Sequence, residues 1–278
     1  MNLLQRTLIL IKKHSISPKK ELGQSFLIND RIARRIIELS EVEGLVVLEV
    51  GAGLGALTDI LASKARLVYA IEVDPVLSKA LREDVLKNHN NVVVMEADFL
   101  NIRPPPVDVV VSNVPYSIAT PMLFKLARDC TFSRALLTLQ KELALRILSK
   151  PGTRDYGRLT VSLDAFFATQ LLMTIKRKNF YPEPDVDSAL LKLERRSPPY
   201  EIKNIDLHLE VVRSLFTQRN RVLRKALRVA VTKLMQFKVD EKVYYDERLK
   251  KYMNSRVKDL SPSDFAYISN IIGDYVIH

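Results

Sequence analysis

Asn113-Val114-Pro115-Tyr116 sets an amide, a kinked backbone and an aromatic ring in four consecutive residues. The Asn113 amide oxygen and a nearby carbonyl, that of Val114, can accept the two hydrogens of an exocyclic amine, and the Tyr116 ring can stack on a flat base. Pro115 fixes its own φ and restricts Val114 to extended conformations, which holds the set in place. The tetrapeptide follows the apolar run Val107 to Val111, which reads as a buried strand with prolines before it and a turn after it. The carboxyl end of such a strand faces the crevice where open α/β sheets take ligands. A strand-ending turn with a core tyrosine uses the same residue types, so the tetrapeptide alone leaves both readings standing.

Three more strand ends must position such chemistry. Val46 to Val50 is a short apolar strand, followed by Gly51-Ala52-Gly53-Leu54-Gly55 and a helical pattern from Ala56 to Ala62. Glycines there permit a tight turn and a close approach of backbone and helix N-terminus to a ligand. A strand from Leu67 to Val73 places Glu72 near its end, where an acid can bind ribose hydroxyls, and Val92 to Met95 leads to Asp98. Singly, Glu72 is a solvated strand end and Asp98 a turn cap; in this order they outline a nucleoside pocket. Gly51, Gly53 and Ala56 also fit the looser pattern G-x-G-x-x-A, which keeps a nicotinamide oxidoreductase open. Hydride transfer does not need the Asn113–Tyr116 element, whereas S-adenosyl-L-methionine with an amine-bearing base as acceptor fits both halves.

From about Leu22 to about Leu227 the chain resembles the ribosomal RNA adenine N6-dimethyltransferase family. The resemblance is carried by Leu22-Gly23-Gln24-Ser25-Phe26-Leu27, by the segment from Glu49 to Thr58, by Asn113 to Pro121, and by Gln140-Lys141-Glu142-Leu143-Ala144-Leu145-Arg146. Tyr156 to Val161, Phe180 to Ala189 and Phe216-Thr217-Gln218-Arg219-Asn220-Arg221 complete it. The resemblance implies a Rossmann-like, seven-stranded class I methyltransferase sheet of α/β class with a small helical C-terminal domain. It implies a donor site of Gln24, Ser25, Leu27, Gly51, Gly53, Glu72, Asp98, Phe99 and Asn113. The reaction implied is double methylation of two adjacent adenines in a hairpin near the 3′ end of small-subunit ribosomal RNA. Departures from the family's pattern are Ser25, Ala52 and Val114, where the family usually has Asn, Pro and Leu. Phe180 is a candidate to stack on the second face of the target base, with a strand-cap aromatic in the core as the other reading. Other readings are a large-subunit adenine methyltransferase and an assembly or transcription factor with a residual donor site.

The chain has 278 residues and a formal net charge of +11, which suits a polyanionic partner. The first twenty residues hold five Lys/Arg and no acid, so residues 1–21 are expected to form a flexible basic arm. Arg221, Arg224, Lys225 and Arg228 repeat at i, i+3, i+4, i+7, and Leu223, Ala226, Leu227 and Ala230 repeat the spacing on the other face. That basic face is expected to touch RNA. Ser197-Pro198-Pro199 marks the expected boundary between a methyltransferase domain, 22–197, and a helical RNA-contacting domain, 198–278. One cysteine, Cys130, and four scattered histidines give no expectation of a metal site. The apolar stretch Leu8 to Ile11 is too short for a signal sequence or a membrane span, so the expectation is a cytoplasmic protein. The resemblance implies the pre-ribosomal small subunit as its partner, and a monomer is expected.

Overall fold

The computed structural model describes residues 1–19, 21–87, 89–234 and 236–277. It divides into two units, one of residues 1–144 with 168–195 and the other of residues 145–167 with 196–278. The chain begins α1 (Leu3–Lys13), β1 (Phe26–Leu27), α2 (Asp30–Ser40), β2 (Val46–Val50), α3 (Thr58–Ala62), β3 (Leu67–Glu72), α4 (Pro75–Ala80) and β4 (Val92–Glu96). It continues β5 (Val109–Asn113), α5 (Ala119–Asp129), β6 (Arg134–Gln140), α6 (Lys141–Ile147), α7 (Arg158–Asp164), β7 (Phe167–Ile175), β8 (Phe180–Tyr181) and β9 (Ser188–Arg195). Helices α8 (Ile205–Phe216), α9 (Leu223–Val231) and α10 (Pro262–Gly273) follow.

Among the described residues seven strands form one sheet in the order β4-β3-β2-β5-β6-β9-β7, and β1 pairs separately with β8. The first five are parallel neighbours, and β9 runs antiparallel to β6. Fully buried runs explain why these segments became strands: Val47, Leu48, Val109, Val110, Val111, Leu136 and Leu137 have no exposed surface. The chain steps outward from β2 through β3 to β4, then returns to lay β5 on the other side of β2. That reversal makes a topological switch point between β2 and β5, where the two ligand-suited loops emerge.

The expected basic arm is instead a helix of the first unit. Asn2 caps α1 in a capping box with Gln5, and Leu3, Thr7 and Leu10 form its buried stripe. Three of its basic side chains are engaged within the unit: Arg6 bonds Asp59 at 2.7 Å and the Gly55 carbonyl at 2.9 Å, and Lys13 and His14 both reach Asp84. Lys19 bonds Asp74 at 2.8 Å, while Lys20 lies outside the described residues.

The second unit also differs from expectation, because residues 145–167 join residues from 196 onward. Tyr156 is the reason. Its ring is wholly buried against Phe216, 5.9 Å between centroids, and its hydroxyl donates to the Leu260 carbonyl at 2.7 Å. Around it pack Leu207, Val211 and Leu215 of α8, Leu223 and Leu227 of α9, and Phe265 and Ile268 of α10.

Candidate active site

A crevice of about 1130 Å³, counting its open mouth, lies at the switch point within the first unit. Gln24, Ser25, Leu27, Gly51, Gly53, Glu72, Asp98, Phe99 and the whole Asn113–Tyr116 element line it. Residues from five separated segments thus share one cavity.

Gly51 adopts φ +74°, and its N–H donates to the Ile71 carbonyl at 2.8 Å, folding the loop back onto β3. A Cβ at this position would lie 2.8 Å from Pro115 Cγ, so only glycine lets the two loops touch. Gly23 does the same from the other side, where a Cβ would meet the Tyr116 amide nitrogen at 2.8 Å. Pro115 is therefore clamped between two glycines, which fixes the Asn113–Tyr116 backbone.

Asn113 ends β5, and its Nδ2 donates to the Ser25 carbonyl at 3.1 Å. This orients the amide so that Oδ1 keeps its acceptor capacity for a ligand. Ser25 thus serves through its backbone, while its hydroxyl donates to the Pro182 carbonyl at 2.8 Å. Val114 is 2% exposed, and its N–H is held by the Thr138 carbonyl. The Tyr116 hydroxyl pairs with Ser188 Oγ at 2.7 Å.

Glu72 closes the opposite wall. Its Oε2 accepts from the Gly53 N–H at 2.8 Å and its Oε1 from the Asp74 N–H at 2.9 Å. Burial raises its pKa, and those backbone donors oppose the rise. Each oxygen retains a lone pair for a further donor. Asp98 both lines the crevice and caps the short 3₁₀ turn Phe99–Asn101, accepting from the Leu100 N–H at 2.9 Å. Gln24 is held by Asp74, to which its Nε2 donates at 3.0 Å.

Among the lining residues not singled out from sequence are the polar Thr7 and Glu49. Thr7 belongs to α1, whose docking could not be anticipated. Glu49 had a visible signal, an acid inside the apolar run Val46 to Val50. It is 2% exposed, and its Oε2 has no hydrogen-bond partner. Burial pushes its pKa up to about 8, with the Thr58 hydroxyl opposing and Glu72 adding to the rise. The folded state therefore holds a proton that the unfolded chain releases near the ordinary carboxylate value of 4.5, and stability declines as pH rises from there to about 8. The slope approaches roughly 1.4 kcal/mol per pH unit at most. Glu49→Gln, a mimic of the neutral acid, should leave the melting temperature near the parent's at about pH 5 and raise it at about pH 8.5. An equal difference between variant and parent at both pH values would contradict the buried, protonated state.

Two sequence expectations need correction. Phe180 does not face the crevice: it is 2% exposed, sits opposite Leu27 in the β1–β8 pair and packs into the core with Ile36, Leu57 and Leu190. Arg221 precedes α9 rather than riding on it, with its N–H bonded to the Gln218 carbonyl at 2.8 Å. Arg224, Lys225 and Arg228 are exposed on α9 as expected, opposite buried Leu223, Ala226, Leu227 and Ala230. Arg219, in the segment Phe216 to Arg221, donates to the Arg154 carbonyl at 2.9 Å within the second unit.

Comparison with known proteins adds a family. The profile of "Ribosomal RNA adenine dimethylase" matches residues 16–273. A "Probable ribosomal RNA small subunit methyltransferase A" of Thermococcus sibiricus is 38% identical over 266 residues, 95% of each chain. Among solved structures, a dimethyladenosine transferase from Plasmodium falciparum gives a TM-score of 0.78 at 26% identity, covering 91% of this chain and 100% of that one. The 23S rRNA methyltransferase ErmE gives 0.65 at 30% identity, covering 89% and 99%.

Proposed function

From the premise that the chain belongs to the ribosomal RNA adenine dimethylase family, we propose that it methylates N6 of two adjacent adenines, twice each, in a hairpin near the 3′ end of small-subunit ribosomal RNA. The observation that carries this reading is the convergence of the Gly51 loop and the Asn113–Tyr116 element on one switch-point crevice. S-adenosyl-L-methionine would supply an electrophilic methyl group on its sulfonium. The residues present fit that donor. Glu72 retains acceptor capacity for ribose hydroxyls, and Asp98 and Phe99 line the wall beyond β4.

Adenine N6 is a poor nucleophile because its lone pair is delocalised into the ring. Asn113 Oδ1 and the Val114 carbonyl accept its two hydrogens and favour a more tetrahedral nitrogen, which frees the pair for attack. Tyr116 stacks on the base, which must leave its helix to enter. Gly23, Gly51 and Pro115 supply rigidity, and alignment of this kind can contribute roughly 7–11 kcal/mol to lowering a barrier. A base that already carries one methyl group still offers one amine hydrogen, so one of the two acceptors holds it for the second transfer.

A large-subunit adenine target is the second reading, kept by the resemblance to ErmE. Labelled donor offered with separated small and large ribosomal subunits distinguishes the two. Label in the small-subunit RNA alone supports the reading; label in the large-subunit RNA alone overturns it. No described helix is long and apolar enough to cross a membrane. Within the same proposal the protein works in the cytoplasm, as a monomer, on a pre-ribosomal small subunit.

Arg221, Arg224, Lys225 and Arg228 then serve affinity and not chemistry. Replacing all four by Gln should lower RNA affinity and flatten its salt dependence by up to roughly 0.7–0.9 log unit for each phosphate no longer neutralised. Donor affinity and melting temperature should stay near the parent's, because the buried face of α9 is untouched. Filter binding at several salt concentrations checks this; an unchanged slope with a lowered melting temperature would assign the face to structure.

A further inference from the structure

We propose that Ser188 is a positioning residue for the acceptor base: its hydroxyl anchors the tip of the Tyr116 side chain and so fixes where the ring lies on which that base stacks. The inference rests on the methyltransferase reading and extends it to a residue outside the crevice. Tyr116 borders the crevice, whereas Ser188 does not, so the 2.7 Å bond between their hydroxyls points the phenol away from any ligand.

Ser188 is well placed to act as an anchor. It opens β9 and is wholly buried. Its Cα partner across the ladder is Gln140 of β6, and on the other flank of β6 Thr138 partners Asn113. The Tyr116 side chain therefore spans the end of β6, linking the loop after β5 to β9. Next to it, the Lys141 N–H donates to the Asp187 carbonyl at 2.9 Å, which ties the same two strand ends together. A tyrosine with its backbone clamped by Gly23 retains freedom only about its side-chain torsions, and the hydroxyl bond fixes the far end of the ring and with it the direction of the ring's long axis. Reacting geometries tolerate only small errors of position, so an anchored ring matters for turnover more than for binding.

The test compares Ser188→Ala, Tyr116→Phe, the double variant and Ser188→Thr on small ribosomal subunits lacking the modification. Ser188→Ala and Tyr116→Phe should each lower kcat roughly ten-fold, the scale of one hydrogen bond orienting a reacting group. The double variant should fall no further, since both substitutions break one bond. KM for the subunits and donor affinity by calorimetry should stay near the parent's, and Ser188→Thr, which keeps the hydroxyl, should restore kcat. If Ser188→Ala does not fold, Tyr116→Phe against Ser188→Thr carries the comparison. Parental kcat in Tyr116→Phe, or losses that multiply in the double variant, would overturn the positioning role while leaving the reaction in place. A parent that transfers nothing would overturn both.

Discussion

Asn113→Ala should abolish measurable methyl transfer, with kcat falling by at least roughly 100- to 1000-fold, the scale of deleting one preorganised hydrogen-bonding group at a reacting atom. The amide has two jobs that the structure separates. Nδ2 is spent on the Ser25 carbonyl at 3.1 Å, and Oδ1 is left for the incoming amine. Removing both leaves the half-buried Ser25 carbonyl without that partner, so a stability loss of about 1 kcal/mol accompanies the loss of turnover. Asn113→Asp keeps an acceptor but puts a carboxylate oxygen against the Ser25 carbonyl, and it should also lose most activity. Donor affinity should change by a few-fold at most in the alanine variant. Turnover within a few-fold of the parent in a folded Asn113→Ala protein would show that the amine is not polarised here.

Glu72→Ala should weaken donor binding by roughly 10- to 150-fold, corresponding to about 1.5–3 kcal/mol for hydrogen bonds to a charged group. Because Gly53 and Asp74 each donate a backbone N–H to this carboxylate, the variant should also melt at a lower temperature. The pocket wall is partly built by the ligand-binding group itself. Calorimetry with S-adenosyl-L-methionine well below the melting transition separates the two effects, and RNA affinity should remain near the parent's. Unaltered donor affinity in the folded variant would remove Glu72 from the donor site. Nicotinamide dinucleotide should show no binding to the parent under the same conditions.

Features encoded within a few consecutive residues were legible. Apolar runs such as Val46 to Val50 and Val109 to Val111 declared buried strands, and the glycines at 51, 53 and 55 declared a loop of left-handed residues. Features decided by distant partners were not. The first helix looked like a free basic arm because Asp59, Asp74 and Asp84, which engage its cations and those just after it, lie more than fifty residues away in sequence. Phe180 and Tyr181 are alternate positions of a two-residue strand, and only the pairing with Phe26–Leu27 determines that Phe180 is buried while Tyr181 stays 38% exposed. Residues 145–167 carry the loop signal Pro151-Gly152, but nothing in it says that the segment groups with the residues after 195 and not with the strands. What moves them is Tyr156, and its partners Phe216 and Leu260 are remote. Asp98 shows that a bland and a functional reading can hold together, since one carboxylate caps a turn and borders the crevice.

If one crevice delivers methyl groups to adjacent adenines of the small-subunit RNA, the products must be visible in that RNA. Unmodified small subunits are allowed to react with the protein and donor, and nuclease fragments of their RNA are then weighed by mass spectrometry. The parent protein should leave N6,N6-dimethyladenosine at two neighbouring positions in a hairpin near the 3′ end, and Asn113→Ala should leave unmodified adenines there. Methylation at a different atom or outside that hairpin, or equal products from parent and variant, would contradict this assignment of the crevice.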